Sequence, residues 1–145
     1  MSFLEDYGAA EARRERKIRR VRRALLALLA IALVGVPLYL WFKNYRQEKL
    51  VERFLNMLAQ GDYASGYAMW GCKVEAPCPS YDYKTFLEDW GPSSEFGKVQ
   101  SFRLGRSREV GSGVIVSVTI NGKQPPLRLW VEKSTGVLGF APSLL

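Results

Sequence analysis

The two cysteines of the chain, Cys72 and Cys78, enclose the short segment CKVEAPC and offer the clearest chemistry in the sequence. In an oxidising compartment an even number of cysteines predicts a disulfide, and closing this loop would remove about 2 kcal/mol of unfolded-state entropy. A zinc site is the alternative, but it needs about four ligands, normally Cys and His. The chain contains no His, so the sequence predicts the disulfide, no metal and no other cofactor.

No group of residues has the pattern of a catalytic site. Without His, the chain lacks the usual general base and triad partner. Glu88 and Asp89 are adjacent, so on a helix they project about 100° apart and do not form a facing acid–base pair. The glycines of GRSREVGSG lack the Lys-Ser/Thr of a phosphate-binding loop, and we predict that they lie in a hairpin loop. The sequence therefore predicts no catalytic residue.

Aromatic residues form the candidate binding site. They are Tyr63, Tyr67, Trp70, Phe86, Trp90 and Trp130. These rings could line a ligand pocket between helices and a sheet, although packing as the core of a small domain is the favoured interpretation. Trp130 alternates out of phase with Leu129 and Val131, so either it or those two residues face away from the main core. A second candidate is a basic stripe, for which a solvated strand face is the favoured interpretation. Its members are Lys98, Arg103, Arg106 and Arg108.

The uncharged segment 24–42, ALLALLAIALVGVPLYLWF, indicates in which cellular location these residues lie. As a helix it would extend about 28 Å, close to the ~30 Å hydrocarbon core of a bilayer. We therefore predict a transmembrane helix over 24–42. A cleaved signal peptide is the competing interpretation, but the apolar segment is too long and no small-x-small cleavage site follows it.

Basic residues before the segment predict its orientation. They are Arg13, Arg14, Arg16, Lys17, Arg19, Arg20, Arg22 and Arg23. Because Lys and Arg beside a span stay on the cytoplasmic side, residues 1–23 should form a cytoplasmic arm and residues 43–145 an outer domain. Residues 1–42 carry eight basic and four acidic side chains, which supplies +4 of the net charge of +7. Membrane lipid is therefore an expected partner of the arm, and nucleic acid is not.

The outer domain is predicted to be α+β, with helices packed on a curved antiparallel sheet of three to four strands. Apolar spacing predicts helices over 44–60, 63–70 and 83–90. Gly61 should end the first helix, while Asp62 and Asp82 should cap the next two. Alternating residues predict strands over 99–104, 114–120, 127–132 and 137–141. Short turns, among them Asn121-Gly122, predict an antiparallel meander with one face covered by the helices.

The segment VERFLNMLAQGDYASGYAMW, together with the later YKTFLEDWG, resembles nuclear transport factor 2-like, or cystatin-like, domains. In that family a long helix ends at Gly-Asp-Tyr, a short helix follows, and a third helix precedes three or four antiparallel strands. The order matches over residues 48–142. The family contains pocket enzymes as well as non-catalytic assembly modules, so the resemblance implies a fold and carries no catalytic residue across.

Single-span envelope proteins with such an outer domain are common in bacteria, so the resemblance implies an inner-membrane protein with a periplasmic or extracellular domain. The expected function is that of a non-catalytic scaffold or accessory subunit of an envelope complex, with membrane proteins as partners. A membrane-tethered binder of a small apolar ligand or lipid is the alternative. An enzyme with a pocket between helices and sheet is the least favoured function.

Overall fold

The computed structural model of the chain describes residues 3–142. The chain divides into two compact units, Met1–Phe42 and Lys43–Leu145. A long apolar helix forms the first unit, and three shorter helices and a four-stranded antiparallel sheet form the second. The predicted α+β class is confirmed.

The first unit is one helix, α1, which runs over Phe3–Phe42. Strong helix formers before residue 24 continue the helix of the apolar segment towards the N-terminus. Pro37 lies inside the helix. Among residues 3–142, one helix is long and apolar enough to cross a membrane, with a window of mean hydropathy 2.4 that is 0% buried.

Three helices begin the second unit: α2 (Tyr45–Ala59), α3 (Tyr63–Ala68) and α4 (Tyr83–Trp90). Gly61 follows α2 with φ of +77°, the left-handed conformation predicted for it. The Asp62 carboxylate accepts the Ser65 amide at the start of α3, and Asp82 accepts the Thr85 amide at 2.8 Å at the start of α4. These hydrogen bonds confirm both caps, and hydrogen bonds from the side chain and then the amide of Thr85 hold the pKa of Asp82 below its ordinary value.

Four strands complete the unit: β1 (Phe102–Val110), β2 (Gly113–Ile120), β3 (Leu127–Glu132) and β4 (Leu138–Phe140). They pair in the order β1-β2-β3-β4, and each neighbouring pair is antiparallel, which confirms the meander. The core lies between the helices and one face of this open sheet. Its 0% exposed side chains include Phe54, Leu58, Tyr67, Phe86, Val116 and Leu129.

The sequence interpretation of the first hairpin is wrong. The segment assigned to a hairpin loop largely belongs to β1, which continues to Val110. A bulge between Leu104 and Ser107 shifts the register, so the alternation that marks a strand is interrupted there. The turn itself is short and contains Gly111, which has φ of +56°. Smaller differences are that α3 ends at Ala68 and that β4 has only three residues.

Asn121 ends β2 and holds the chain segment 96–101, which contains no helix or strand. Its side-chain oxygen accepts the amides of Gln100 and Ser101 at 2.8 and 3.1 Å. Its side-chain nitrogen donates to the carbonyls of Phe96 and Lys98, both at 2.9 Å. One amide side chain therefore satisfies four backbone groups of this segment.

Candidate functional site

The predicted disulfide is confirmed. Cys72 and Cys78 are bonded, with their Cα atoms 5.3 Å apart, so neither sulfur is a thiolate that could bind zinc. Tyr67 connects this loop to the core. Its hydroxyl donates to the Tyr81 carbonyl and accepts the Cys78 amide at 3.2 Å.

Five of the six candidate aromatic residues lie together between the helices and the sheet. Tyr67 and Phe86 are 0% exposed, while Trp90 and Trp70 are 2% and 8% exposed. Tyr63 is half-buried and packs against the same cluster. The ring centroids of Tyr67 and Phe86 are 5.2 Å apart, and those of Trp70 and Trp90 are 5.9 Å apart. Rings so closed to solvent and so near each other have the arrangement of a packed core.

Other aromatic rings join this cluster, although the sequence analysis did not place them in the site. They include Phe54, Tyr81, Tyr83, Phe96 and Phe140. Phe54 makes an edge contact with Trp90, with ring centroids 5.0 Å apart. Its position in the apolar stripe of α2 was the signal that could have identified it. Phe140 differs from the other rings because it is 48% exposed.

A cleft of about 230 Å³ adjoins the exposed edge of the cluster. It is lined by Glu88, Asp89, Trp90, Glu95, Phe96, Leu127 and Phe140. Ligand sites usually occupy about 300–1,000 Å³, so this cleft would hold at most a small group. Its combination of rings and carboxylates suits an apolar group that carries a positive charge.

One carboxylate of the cleft, that of Asp89, accepts a hydrogen bond from a tyrosine. The Tyr81 hydroxyl donates to the Asp89 carboxylate at 2.8 Å. Burial, and then this hydrogen bond, raises the pKa of Tyr81 well above its ordinary value, so Tyr81 stays a neutral donor near neutral pH. Glu88 is exposed and makes no side-chain hydrogen bond among the described residues.

Trp130 lies apart from the other aromatic residues, on the opposite face of the sheet. Its neighbours in register are Ile115 on β2 and Gly139 on β4. Leu129 and Val131, on either side of it, are 0% exposed in the core. Trp130 is therefore the residue that faces away, and it cannot line a space between helices and sheet.

The Trp130 ring lies over Gly113. A Cβ atom at residue 113 would fall 2.3 Å from Cζ2 of the indole, closer than any real contact. Glycine therefore leaves the space that the ring occupies. The ring is half-buried against the sheet and keeps part of its surface exposed.

Exposed arginines share this outer face. Arg103 lies opposite Thr119, Arg128 opposite Ser117, and Arg108 in the same row as Ile115 and Trp130. Arg106 lies in the bulge of β1. Over residues 6–142 the structure gives none of these four guanidinium groups an ion pair or a side-chain hydrogen bond.

The basic residues that share the outer face therefore differ from those of the predicted stripe. Lys98 belongs to the segment held by Asn121 and not to a strand. Arg128, which the sequence analysis did not include, joins the face because β3 pairs with β2. The signal for it was its alternation with Leu127 and Leu129. One carboxylate of the outer face, Glu132, lies at the end of the sheet and accepts a hydrogen bond from Ser112 at 3.0 Å.

The eight basic residues of the predicted cytoplasmic arm all lie on α1 and are exposed. Arg19 pairs with Glu15 one helical turn away, at 3.2 Å. Exposed pairs of this kind contribute little to stability, about 0.3–0.5 kcal/mol. The positive charge of the arm is therefore largely available to the surroundings.

No cluster of three or more His, Cys, Asp or Glu side chains that could hold a metal ion occurs among the described residues. Comparisons of the chain with protein-family models, with curated proteins and with solved structures found no match. The resemblance to nuclear transport factor 2-like domains therefore stays a prediction.

Proposed function

We propose that this chain is a non-catalytic, membrane-anchored subunit of a bacterial envelope protein complex. In this proposal residues 24–42 cross the inner membrane, residues 1–23 are cytoplasmic, and residues 43–145 form a nuclear transport factor 2-like domain on the outer side. The length and apolar composition of α1 support the span. The Cys72–Cys78 disulfide supports an oxidising compartment for the domain.

The observation that carries the proposal is the open face of the sheet. It presents the half-buried Trp130 among exposed, unpaired arginines, while Tyr67 and Phe86 in the interior have no exposed surface. Trp and Arg are the residue types most enriched where protein interfaces gain their binding energy. A large exposed face suits a macromolecular partner better than a small substrate. The proposal therefore assigns this face to contact with a partner protein.

Topology is tested with reporter fusions. With the C-terminus outside, a C-terminal alkaline phosphatase should be active and a C-terminal green fluorescent protein should be dark. The same reporters fused after residue 23 serve as the matched control and should give the opposite result. A fluorescent C-terminal fusion with inactive phosphatase would place the domain in the cytoplasm and remove the basis of the proposal.

Assembly is tested by extracting the full chain in mild detergents and measuring the size of the purified complex. We expect a complex larger than the monomer. Replacing residues 24–42 with an unrelated span of the same length should weaken it if the span also contacts partners. A lone monomer in several mild detergents, together with turnover of a substrate by the protein, would contradict the proposal.

The cleft beside Phe140 favours a second candidate function, a membrane-tethered binder of a small apolar ligand. Phe96 and Phe140 each stack against Trp90, with ring centroids 6.2 and 6.1 Å apart. A ligand in the cleft should therefore change tryptophan fluorescence, and Phe140→Ala should remove that change. Titration of the full chain in detergent with an alkylammonium probe tests this function, with an alkyl sulfate of equal length as the control.

A further inference from the structure

The outer face of the sheet carries positive charge that its own residues do not neutralise. Two lysines elsewhere in the same unit are paired with carboxylates, Lys133 with Glu109 at 3.3 Å and Lys49 with Glu52 at 2.6 Å. On the outer face, the carboxylate of Glu132 lies at one end and accepts a hydrogen bond from Ser112. A surface with this charge distribution attracts an anionic partner.

The arginines occupy consecutive rows of the outer face, on the two strands that flank β2. Three consecutive outward rows contain Arg103, Arg128 and Arg108 in turn, one arginine in each row. Outward positions two residues apart along a strand are separated by about 6.6–6.8 Å. Arg103 and Arg108 lie on β1 and Arg128 lies on β3, on either side of β2. An acidic segment laid along β2 would therefore have guanidinium groups on both of its sides.

Trp130 gives the same face a flat apolar centre. Its ring lies over Gly113 and close to Gly139, where a Cβ atom would be 3.8 Å from the indole. The ring therefore lies along the sheet and does not project from it. A flat ring can pack against a partner laid on the sheet, but it cannot insert into a bilayer as a projecting aromatic side chain would.

Charge also argues against a second copy of this chain as the occupant. Pairing two identical faces would bring the guanidinium groups of both copies together, and like charges across an interface are repulsive. Guanidinium forks instead match carboxylates, with which they form paired hydrogen bonds. The favoured occupant is thus acidic, extended and apolar at some positions.

We infer that the outer face of the sheet binds an acidic, extended segment of a partner protein, with carboxylates on Arg103, Arg128 and Arg108 and an apolar side chain on Trp130. This inference rests on the proposed function, because it states the chemistry of the partner at the contact face named there.

The test uses the full chain in a neutral detergent and a fluorescent peptide that repeats Glu-Glu-Leu as the probe, because an extended chain of this sequence carries both Glu and Leu on each face. Fluorescence anisotropy measures the dissociation constant. The triple variant Arg103→Glu, Arg108→Glu, Arg128→Glu reverses the charge of the outer face and should weaken peptide binding at least about tenfold. The matched control reverses three exposed cations elsewhere in the same unit. These substitutions are Arg53→Glu, Lys73→Glu and Lys84→Glu.

The control changes net charge by the same amount and should weaken binding less than about threefold. Equal losses in both variants would show attraction to net charge alone and would overturn the inference. It would also be overturned if nanodiscs containing phosphatidylglycerol, and not the peptide, required the arginines of the face. If the triple reversal unfolds the domain, the three single Arg→Gln changes replace it, and each should weaken peptide binding about twofold to fivefold.

A further measurement, co-purification of the native assembly, distinguishes failure of this inference from failure of the proposed function. If the native assembly co-purifies equally well with the triple reversal and with the wild-type chain, the inference is wrong while the proposed function stands. If the wild-type chain is a lone monomer, the proposed function is wrong.

Discussion

The two faces of the sheet differ in burial and in charge. On β3, Leu129 and Val131 point towards the helices and are 0% exposed, whereas Arg128 and Trp130 point the other way. Because side chains alternate along a strand, adjacent residues of β3 face opposite sides of the sheet. One face is organised for packing against α2 and its neighbours. The other is free of such packing and can be organised for recognition.

The largest effect should come from removing packing on the core face. Leu129→Ala should destabilise the protein by about 2–5 kcal/mol, because it leaves a cavity in a fully buried layer. Chemical denaturation monitored by tryptophan fluorescence measures the change. A loss of unfolding free energy smaller than that caused by a substitution at an exposed residue would contradict the distinction between the two faces.

A smaller effect should come from the outer face, where Gly113 makes room for Trp130. Gly113→Ala should cost about 1–3 kcal/mol, because the new methyl group overlaps the indole and forces it to move. In a chain that already carries Trp130→Ala, adding Gly113→Ala should cost less stability than it costs in the wild-type chain, because the indole is absent. A double-mutant cycle by denaturation tests this, and strictly additive losses would contradict the contact.

The smallest effect on stability should come from the arginines of the outer face. Arg103→Gln and Arg108→Gln should each change the free energy of unfolding by less than about 0.5 kcal/mol, because neither side chain is buried or paired. At low salt the double change should stabilise slightly, since it removes like-charge repulsion that salt otherwise screens. Melting curves at two salt concentrations measure this. A large destabilisation would mean that the face is structural.

Features that depend on a few neighbouring residues were predictable from the sequence. Gly61 needs a positive φ after a helix, and Asp62 and Asp82 each have an amide three residues ahead to accept. The disulfide was predictable because Cys72 and Cys78 are the only cysteines and lie close in the chain. The long run of apolar residues in α1 required no knowledge of contacts.

Features that depend on strand pairing were not predictable. Alternation divides the residues of β3 into two sets, and both sets contain apolar side chains. The sequence therefore did not show which set faces the core. Gly113 decides the direction by leaving space for Trp130, yet in the sequence it resembles an ordinary turn glycine. Similarly, Arg128 joins Arg103 and Arg108 only through the register of three strands. The bulge in β1 hid most of that strand because it interrupts the period.

The four hydrogen bonds made by Asn121 have a consequence for proteolysis. Proteases cleave segments that can leave the fold and extend into an active site, and exposed segments without regular structure are their usual targets. Residues 96–101 lack a strand and are partly exposed, but Val99 is buried in the core and the side chain of Asn121 fastens the segment at both ends. Resistance of this segment to cleavage should therefore depend in part on a side chain about twenty positions away in the chain.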